Sequence, residues 1–571
     1  MKNNEIADIL REMSLLLELD GANLFSIDEW RRAARIAGSS EVSLCGLAPA
    51  RLAEIRGLSP LVAGSIAEIC RSGVCDPLAA LRSKYPYGIC SLLKIHGIGP
   101  GRAKQLYYNL GIKSPEELKE ALVSGALNGA DGFGPNALRA IAQGLSLRLK
   151  SEGRLLWFHA WELAGKAADF AVRCGAARAV VCGGVRAGLE SVEKIVLAIT
   201  AAEPEKVFSR FSDFEETALL PDQLQTRRLY RLKGEIDCEL VLAPPAALPF
   251  VTLFETGSAQ HLAGLKKIAG GRGLELGPNG LRRCPDRAEV ACGSEEDIYA
   301  ALGLEFVPPE LRAGAGELEL ASRRALPQLL TRADILGEFH NHTLFSDGSC
   351  PLESMLARAA AERYSWVFLG DHSREVRVTR GLDYDGFLET KAALALAARQ
   401  FPGLRAARSL EVEIYNDGRI EFSPDQLKNI PFAVASVHSG FEMDPERMTQ
   451  RLVRAAGAQG VDAIAHPTGR IIGRRPGYSF DFDCVASACV AHGTALEINA
   501  QPDRQDLCPE QVRAAKKLGC RFIISTDAHS SHDLRFIMQG VTIARRAGLT
   551  RSDVLNTLAF DEISVVTGKT A

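Results

Sequence analysis

No apolar run in the 571 residues approaches the roughly 20 needed to cross a bilayer as a helix, so no membrane span is expected. The opening run, MKNNEIADILREM, mixes charges from its first residues and does not read as a secretory signal, which points to the cytoplasm. None of the fourteen cysteines stands in a CxxC pair; they read as scattered reduced thiols, mostly buried as small hydrophobes. Strong charge of either sign is also missing. With 67 Lys and Arg against 70 Asp and Glu, the net charge is -3, so any nucleic-acid binding must come from local patches or backbone amides. Histidine is scarce early: only His96, His159 and His261 precede residue 300, and the other eight fall between 340 and 532. That imbalance points to two regions with different chemistry, in a chain long enough for two to four domains.

Residues 1–80 carry apolar positions at three-to-four spacing in NEIADILREMSLLLEL, SIDEWRRAARIAG and LVAGSIAEICRSG, the pattern of amphipathic helices. Helices continue to about 150, broken by glycine turns. Near 153 the pattern changes: ARAVVCGGV, EKIVLAIT and EIDCELVLA read as strands with helical segments between them. VPPELRAGAGELEL, 307–320, is rich in Pro, Gly and small residues and reads as a linker. Beyond 334, the apolar strands WVFLGDHS, FAVASVHS, VDAIAHPTG, TALEINA and RFIISTDAHS alternate with amphipathic helices, which predicts a parallel barrel.

The strand ends of this last region carry the chemistry. GEFHNHTLFSDGS, 337–349, holds His340 and His342, which a strand would point to one face, followed by Asp347 in a Ser-Asp-Gly turn. A single HxH is weak evidence, but the pattern recurs. GDHS supplies Asp371 and His372, SLEVEI supplies Glu411, SVHS supplies His438, AHPTG supplies His466, and STDAH supplies Asp527 and His529. Barrel enzymes build their sites at C-terminal strand ends. Imidazoles and carboxylates gathered there suit several ions of zinc, manganese or iron.

Residues 334–571 resemble a polymerase-and-histidinol-phosphatase (PHP) domain, and all nine ligand positions of that family's motifs are filled. The resemblance implies a distorted (βα)7 barrel holding three divalent ions. One would sit on His340, His342, Glu411 and Asp527. A second would share Glu411 with His438 and His466, and a third would take Asp347, His372 and His529. Water bound to the ions would attack phosphorus. Asp371 is a candidate to orient a ligand histidine. Arg470, Arg474 and Arg475, in GRIIGRRPGY, are candidate phosphate contacts. His492 and His532 have no motif partner.

LLKIHGIGPGRAKQLYYNLGI, 92–112, resembles a helix-hairpin-helix, with Gly97, Gly99, Gly101 and Arg102 as candidate contacts to a DNA backbone. A weaker related turn lies at 130–145 and a degenerate one at 55–69. In order, the first 315 residues resemble the parts of a bacterial family X DNA polymerase. The whole then reads as a multidomain α/β chain: a helical amino-terminal domain at 1–80, a hairpin-bearing fingers-like domain at 81–152, a palm-like nucleotidyltransferase domain at 153–250 and a thumb-like domain at 251–315. A linker at 316–333 and the PHP domain at 334–571 follow.

The polymerase match fails at its metal site. In GGVRAGLESVEKIV, 183–196, the family's paired aspartates fall on Lys194 and Val196. Arg186, Gly188, Asp237, Thr256, Gly257 and Ser258 persist, but one remaining carboxylate is too few for two-metal nucleotidyl transfer. DNA synthesis is therefore expected to be lost. With no lysine between Lys2 and Lys84, lyase chemistry through a Schiff base is not expected in this segment either. The expected function is a sequence-independent DNA-end phosphoesterase in a monomer: 3'-to-5' trimming, 3'-end cleaning or abasic-site incision in DNA repair. The alternatives are a small-molecule phosphatase of the histidinol-phosphate kind, an active gap-filling polymerase and a non-catalytic DNA-binding scaffold.

Overall fold

Helices alone make up the regular structure described for the first 151 residues, and several start at a capping side chain. Asn23 caps Leu24–Ser39 by accepting from the Ser26 amide, and Ser59 caps Pro60–Ser72 with proline in the first turn. Ile6, Leu10, Met13, Trp30, Ala33 and Ala37 meet in one buried cluster that continues through Ile89, Leu106 and Ile141. The computed structural model describes all residues except 41, 56, 215–216, 221–223, 233–235, 377–380 and 570–571. Arg56, in the degenerate turn, and Glu235, at the head of EIDCELVLA, lie outside the described residues.

The turns at 57–60, 97–100 and 132–135 share one local geometry. Gly57, Gly97 and Gly132 take φ of 95°, 86° and 76°, and a proline opens the next helix in each case. Cys45 and Cys70 are joined in a disulfide, against the expectation of free thiols throughout. Packing brings their Cα atoms to 5.1 Å, within bridging range, and a separation of 25 residues gives no hint of it.

A five-stranded sheet follows, in the order Arg178–Cys182, Lys194–Thr200, Ile236–Leu242, Arg227–Leu232, Ala218–Leu219. Its central pair is parallel and sets Lys194 opposite Asp237. A three-stranded antiparallel sheet at 274–290 completes this half. Part of the expected linker is structured: Glu317–Ser322 is a helix. Buried Glu317 sits 2.6 Å from Nδ1 of His261, whose Nε2 meets the Tyr299 hydroxyl at 2.7 Å. Composition marks a flexible segment there, but that buried polar chain ties it down.

The carboxy-terminal half is a nearly closed barrel of seven parallel strands in sequence order: Gly337–Glu338, Trp366–Leu369, Arg405–Glu413, Phe432–Ser436, Ala463–Ile464, Ala495–Asn499 and Phe522–Ser525. Backbone bonds close the seam, from Asp527 N–H to the His340 carbonyl (2.8 Å) and from His342 N–H to the Ala528 carbonyl (2.7 Å). Phe339, Trp366, Phe368 and Phe432 fill the barrel floor, with Phe339 and Phe432 ring centroids 4.3 Å apart. Burying each such ring contributes roughly 1.5–3 kcal/mol.

Strand alternation then carries each inward face from apolar floor to polar mouth. The inward series run Phe368, Gly370, His372; Ala407, Ser409, Glu411, Glu413; Val434, Ser436, His438; and Ala495, Glu497, Asn499. Gly370 permits the first: a Cβ there would lie 2.7 Å from the Asn341 carbonyl oxygen.

Candidate metal centre

His340 and His342 lie just past the first barrel strand, not within it, yet their Nε2 atoms stand 3.2 Å apart. Around them gather Asp527 Oδ1, 3.1 Å from His342 Nε2, and Glu411 Oε2, 3.3 Å from His340 Nε2. The other Glu411 oxygen lies 3.2 Å from His438 Nε2 and 3.0 Å from His466 Nε2. Asp347 Oδ1 is 3.6 Å from His372 Nε2, and its Oδ2 is 3.3 Å from His529 Nε2. All nine residues named from the sequence thus converge. Two of them, His466 (φ 29°) and Asp527 (φ 48°), hold left-handed backbone that ordinarily disfavours a side chain, at a cost of about 1–3 kcal/mol each.

Three sets of donor atoms lie within 4.8 Å of one another: His342, Asp347, His372 and His529; His340, His342 and Asp527; and His372, Glu411 and His438. The residues fit dications. Two imidazole Nε2 atoms facing each other at 3.2 Å need a cation between them or a proton shared by one. Glu411 Oε2, Asp347 Oδ1 and His342 Nδ1 are buried without hydrogen-bond partners, an arrangement that costs free energy unless something electropositive arrives.

The charges agree. Burial opposes ionisation of Asp347, but His529 and His372 override it and hold the carboxyl well below its usual range. Glu411 and Asp527 behave likewise against their histidines. Burial, with His372 and His529 beside it, pushes His342 down to about 4, leaving a neutral imidazole.

The groups that orient these rings were not singled out from sequence. Glu497, fully buried, holds His340 Nδ1 at 2.7 Å, and Glu413 holds His438 Nδ1 at 2.8 Å. Glu413 had a signal, since it stands two residues after Glu411 in SLEVEI; Glu497 stands as a lone charge in the apolar strand TALEINA, but nothing in the sequence ties it to His340, 157 residues away. Asp371 does not orient a ligand ring. It accepts from the Thr343 amide (2.9 Å) and hydroxyl (2.8 Å) and from the Ser346 hydroxyl (2.6 Å), with Arg408 at 2.5 Å, and so shapes the loop leading to Asp347.

The arginine assignments change most. Arg470 is spent on structure: it pairs with Glu190 of the first half at 2.8 Å and donates to the carbonyls of Arg504 and Gln505. Arg475 donates to the Gly469 carbonyl and stacks over Phe441, 4.1 Å from its centroid. Arg474 is exposed on the same loop. A cation that does stand against the cluster is Arg504, whose Nε lies 3.3 Å from Asp527 Oδ2. His492 sits against Gly457, and burial beside Arg535 pushes His532 down to about 4.

In the first half, Lys194 Nζ lies 2.6 Å from Glu239, which also pairs with Arg227 at 2.7 Å, while Arg231 pairs with Asp237. Ion pairs occupy the place where metal-binding carboxylates would be needed. Val196 is buried among Cys182, Ala198 and Val241. Arg186 pairs with Glu295 (3.0 Å), which Arg312 shares (2.7 Å). Gly188, at φ 70°, faces Thr542 of the barrel half so closely that a Cβ would lie 2.4 Å from its methyl. Thr256 ends one helix, Gly257 is its cap, and Ser258 caps the next through the His261 amide.

At the first hairpin, Gly99 and Gly101 are exposed with open space around them. Gly97 packs against the second hairpin instead, where a Cβ would lie 2.9 Å from the Ile141 nitrogen. Arg102 braces the two turns by donating to the carbonyls of Gly97 and Gly132, both at 2.9 Å. A cleft of about 590 Å³ separates this region from the barrel; His96, Gly97, Arg102, Arg139 and Arg475 line it.

Comparison with known proteins agrees with this arrangement. Residues 251–313 match the model of the DNA polymerase beta thumb. Over 99% of both chains, the protein is 28% identical to the DNA polymerase/3'-5' exonuclease PolX of Bacillus subtilis (strain 168). In architecture the chain resembles a family X DNA polymerase joined to a PHP domain. The PHP barrel also matches proteins without the polymerase module. A probable phosphatase of Thermoanaerobacter sp. (strain X514) is 26% identical over 229 residues, 38% of this chain and 89% of that one. A probable phosphatase of Shewanella sp. (strain ANA-3) is 26% identical over 172 residues, 28% of this chain and 66% of that one. No helix among the described residues is long and apolar enough to cross a membrane.

Proposed function

We propose that the protein is a metal-dependent phosphoesterase that trims or cleans DNA 3' ends through its PHP site, with a family X module that holds DNA without extending it. The observation that carries this reading is the convergence at the mouth of the barrel of eight imidazoles and carboxylates in three donor sets, several with orphaned buried atoms, with His466 against Glu411 as the ninth. His340, His342, Asp347, His372, Glu411, His438, His466, Asp527 and His529 would hold up to three ions of manganese, zinc or iron. Such ions supply an activated water at neutral pH and neutralise charge on phosphate oxygens.

This chain's own groups do the rest. Glu497 and Glu413 fix the rings of His340 and His438 so that Nε2 faces the cluster. Asp371 holds the 343–346 loop in place, and Arg504 presents a guanidinium to phosphate beside Asp527. Gly99 and Gly101, exposed with open space around them, suit close approach of a DNA backbone without reading its sequence. In the palm, Lys194 replaces a carboxylate that nucleotidyl transfer would need and pairs with Glu239, while Arg231 takes up Asp237.

The test is hydrolysis of a 3'-recessed duplex with manganese, comparing wild type with His342→Ala. Loss of cleavage in the variant is expected, and undiminished cleavage would put the nuclease elsewhere. Faster turnover of histidinol phosphate than of DNA ends would favour a small-molecule phosphatase; the relatives similar to the barrel alone are named probable phosphatases.

A further inference from the structure

The mouth of the PHP site is not built by the barrel alone. Arg35, on the helix Leu24–Ser39, reaches across 312 residues of sequence and donates from Nη2 to the backbone carbonyl of Asp347 at 2.9 Å. Gly57, in the first of the three glycine turns, lies beside Leu344 of the same loop, so the amino-terminal helices overhang this edge of the site. The acceptor Arg35 uses is a neutral carbonyl, and its Nε is buried with no hydrogen-bond partner. A half-buried guanidinium in that state lacks the anion that would satisfy it. Two of the other arginines weighed for phosphate differ. Glu190 and two carbonyls occupy Arg470, while Arg475 is turned onto Gly469 and Phe441.

We infer that Arg35 binds a phosphate of the substrate at the PHP site, and that the amino-terminal helices thereby make the site select a DNA strand over a small phosphomonoester. This rests on the DNA-end reading above. Arg35 touches the backbone of Asp347, outside the donor cluster, whereas Arg504 lies against the carboxylate of Asp527 within it. A phosphate reacting at the cluster meets Arg504. A neighbouring phosphate, which a DNA strand has and a phosphomonoester lacks, meets Arg35.

The test uses the full chain with Arg35→Met, which keeps the aliphatic stem, and Arg35→Lys, which keeps the charge. Binding is read by anisotropy with a 3'-recessed duplex whose terminal linkages are hydrolysis-resistant phosphorothioates, in manganese, over a range of salt. The methionine variant is expected to bind about tenfold more weakly at low salt, with the slope of log K on log salt shallower by about one unit, and lysine to recover most of both. Ion content and turnover of p-nitrophenyl phosphate should stay within about twofold of wild type. Unchanged DNA binding in Arg35→Met overturns the inference. So does a parallel loss of ions and of p-nitrophenyl phosphate turnover, which would reduce Arg35 to a prop for the Asp347 loop. If wild type binds the duplex but cannot cut an unmodified one, the nuclease reading fails while the binding comparison still decides the role of Arg35.

Discussion

Replacing Glu497 with glutamine is the sharpest test of how the cluster is held. One oxygen of Glu497 faces His340 Nδ1 at 2.7 Å; the other accepts from the His466 amide at 2.5 Å and from the Asn499 side chain at 3.1 Å. Glutamine has the same shape but only one acceptor oxygen. Two donors face the His466 side, so the amide oxygen must stay there and the NH2 must turn to His340 Nδ1. That forces Nδ1 to accept, puts the proton on Nε2, and removes the lone pair that faces Asp527 and Glu411. The wrong tautomer should weaken ion binding by about 10- to 100-fold, or roughly 1.4–2.7 kcal/mol. The readout is titration of chelator-stripped protein with manganese against a competing chelator, with ion counting after reloading. Far-UV circular dichroism of the stripped variant checks that the barrel has formed. A folded variant that takes up a full complement of ions with wild-type affinity would refute the reasoning, because ring orientation would then not depend on Glu497.

Further outcomes are open to measurement. Primer extension by the purified protein should be undetectable; robust metal-dependent synthesis that Asp237→Ala abolishes would overturn the account of Lys194 and Val196. Chelation should lower the midpoint of thermal unfolding: ions at about 100 times their dissociation constant would contribute roughly 2.7 kcal/mol to the folded state, and calorimetry with and without chelator reads the shift. Lys569 Nζ is buried 2.6 Å from Asp462, so Lys569→Met should cost about 3–5 kcal/mol at neutral pH by stranding the carboxylate, while adding Asp462→Asn should restore most of it. Burial already raises Asp462 to about 6, against the pull of Lys569. The folded state therefore binds this proton more tightly than the unfolded chain, and the single variant's deficit in urea unfolding should shrink as pH falls from above 6 toward 4.

Much of the barrel was legible because strand alternation is a local code. Once apolar runs mark the strands, the residue at each C-terminal end is named by position, and His372, Glu411 and His438 follow from counting in twos. His466 and Asp527 were found by residue type rather than by that count, since both turn inward through left-handed backbone. The arginines resisted for a different reason. A guanidinium on a loop can meet phosphate, a carbonyl or an ion pair with equal ease, and the presence of Glu190 beside Arg470 is a fact of domain packing. Glycine was ambiguous in the same way: Gly97 and Gly99 look alike in GIGPG, yet one is pressed against a neighbouring helix and the other is open.

Sequence by itself determined the alternating helices and strands, the ring of donors at the strand ends, and the loss of the paired aspartates at Lys194 and Val196, because each depends on residue type and short-range periodicity. Tertiary structure alone decided which carboxylate steadies which imidazole, that Lys194 and Arg231 close the vacant palm with ion pairs, and that Arg35 leans over a site more than three hundred residues away. Those outcomes depend on distances between segments that only the folded chain brings together.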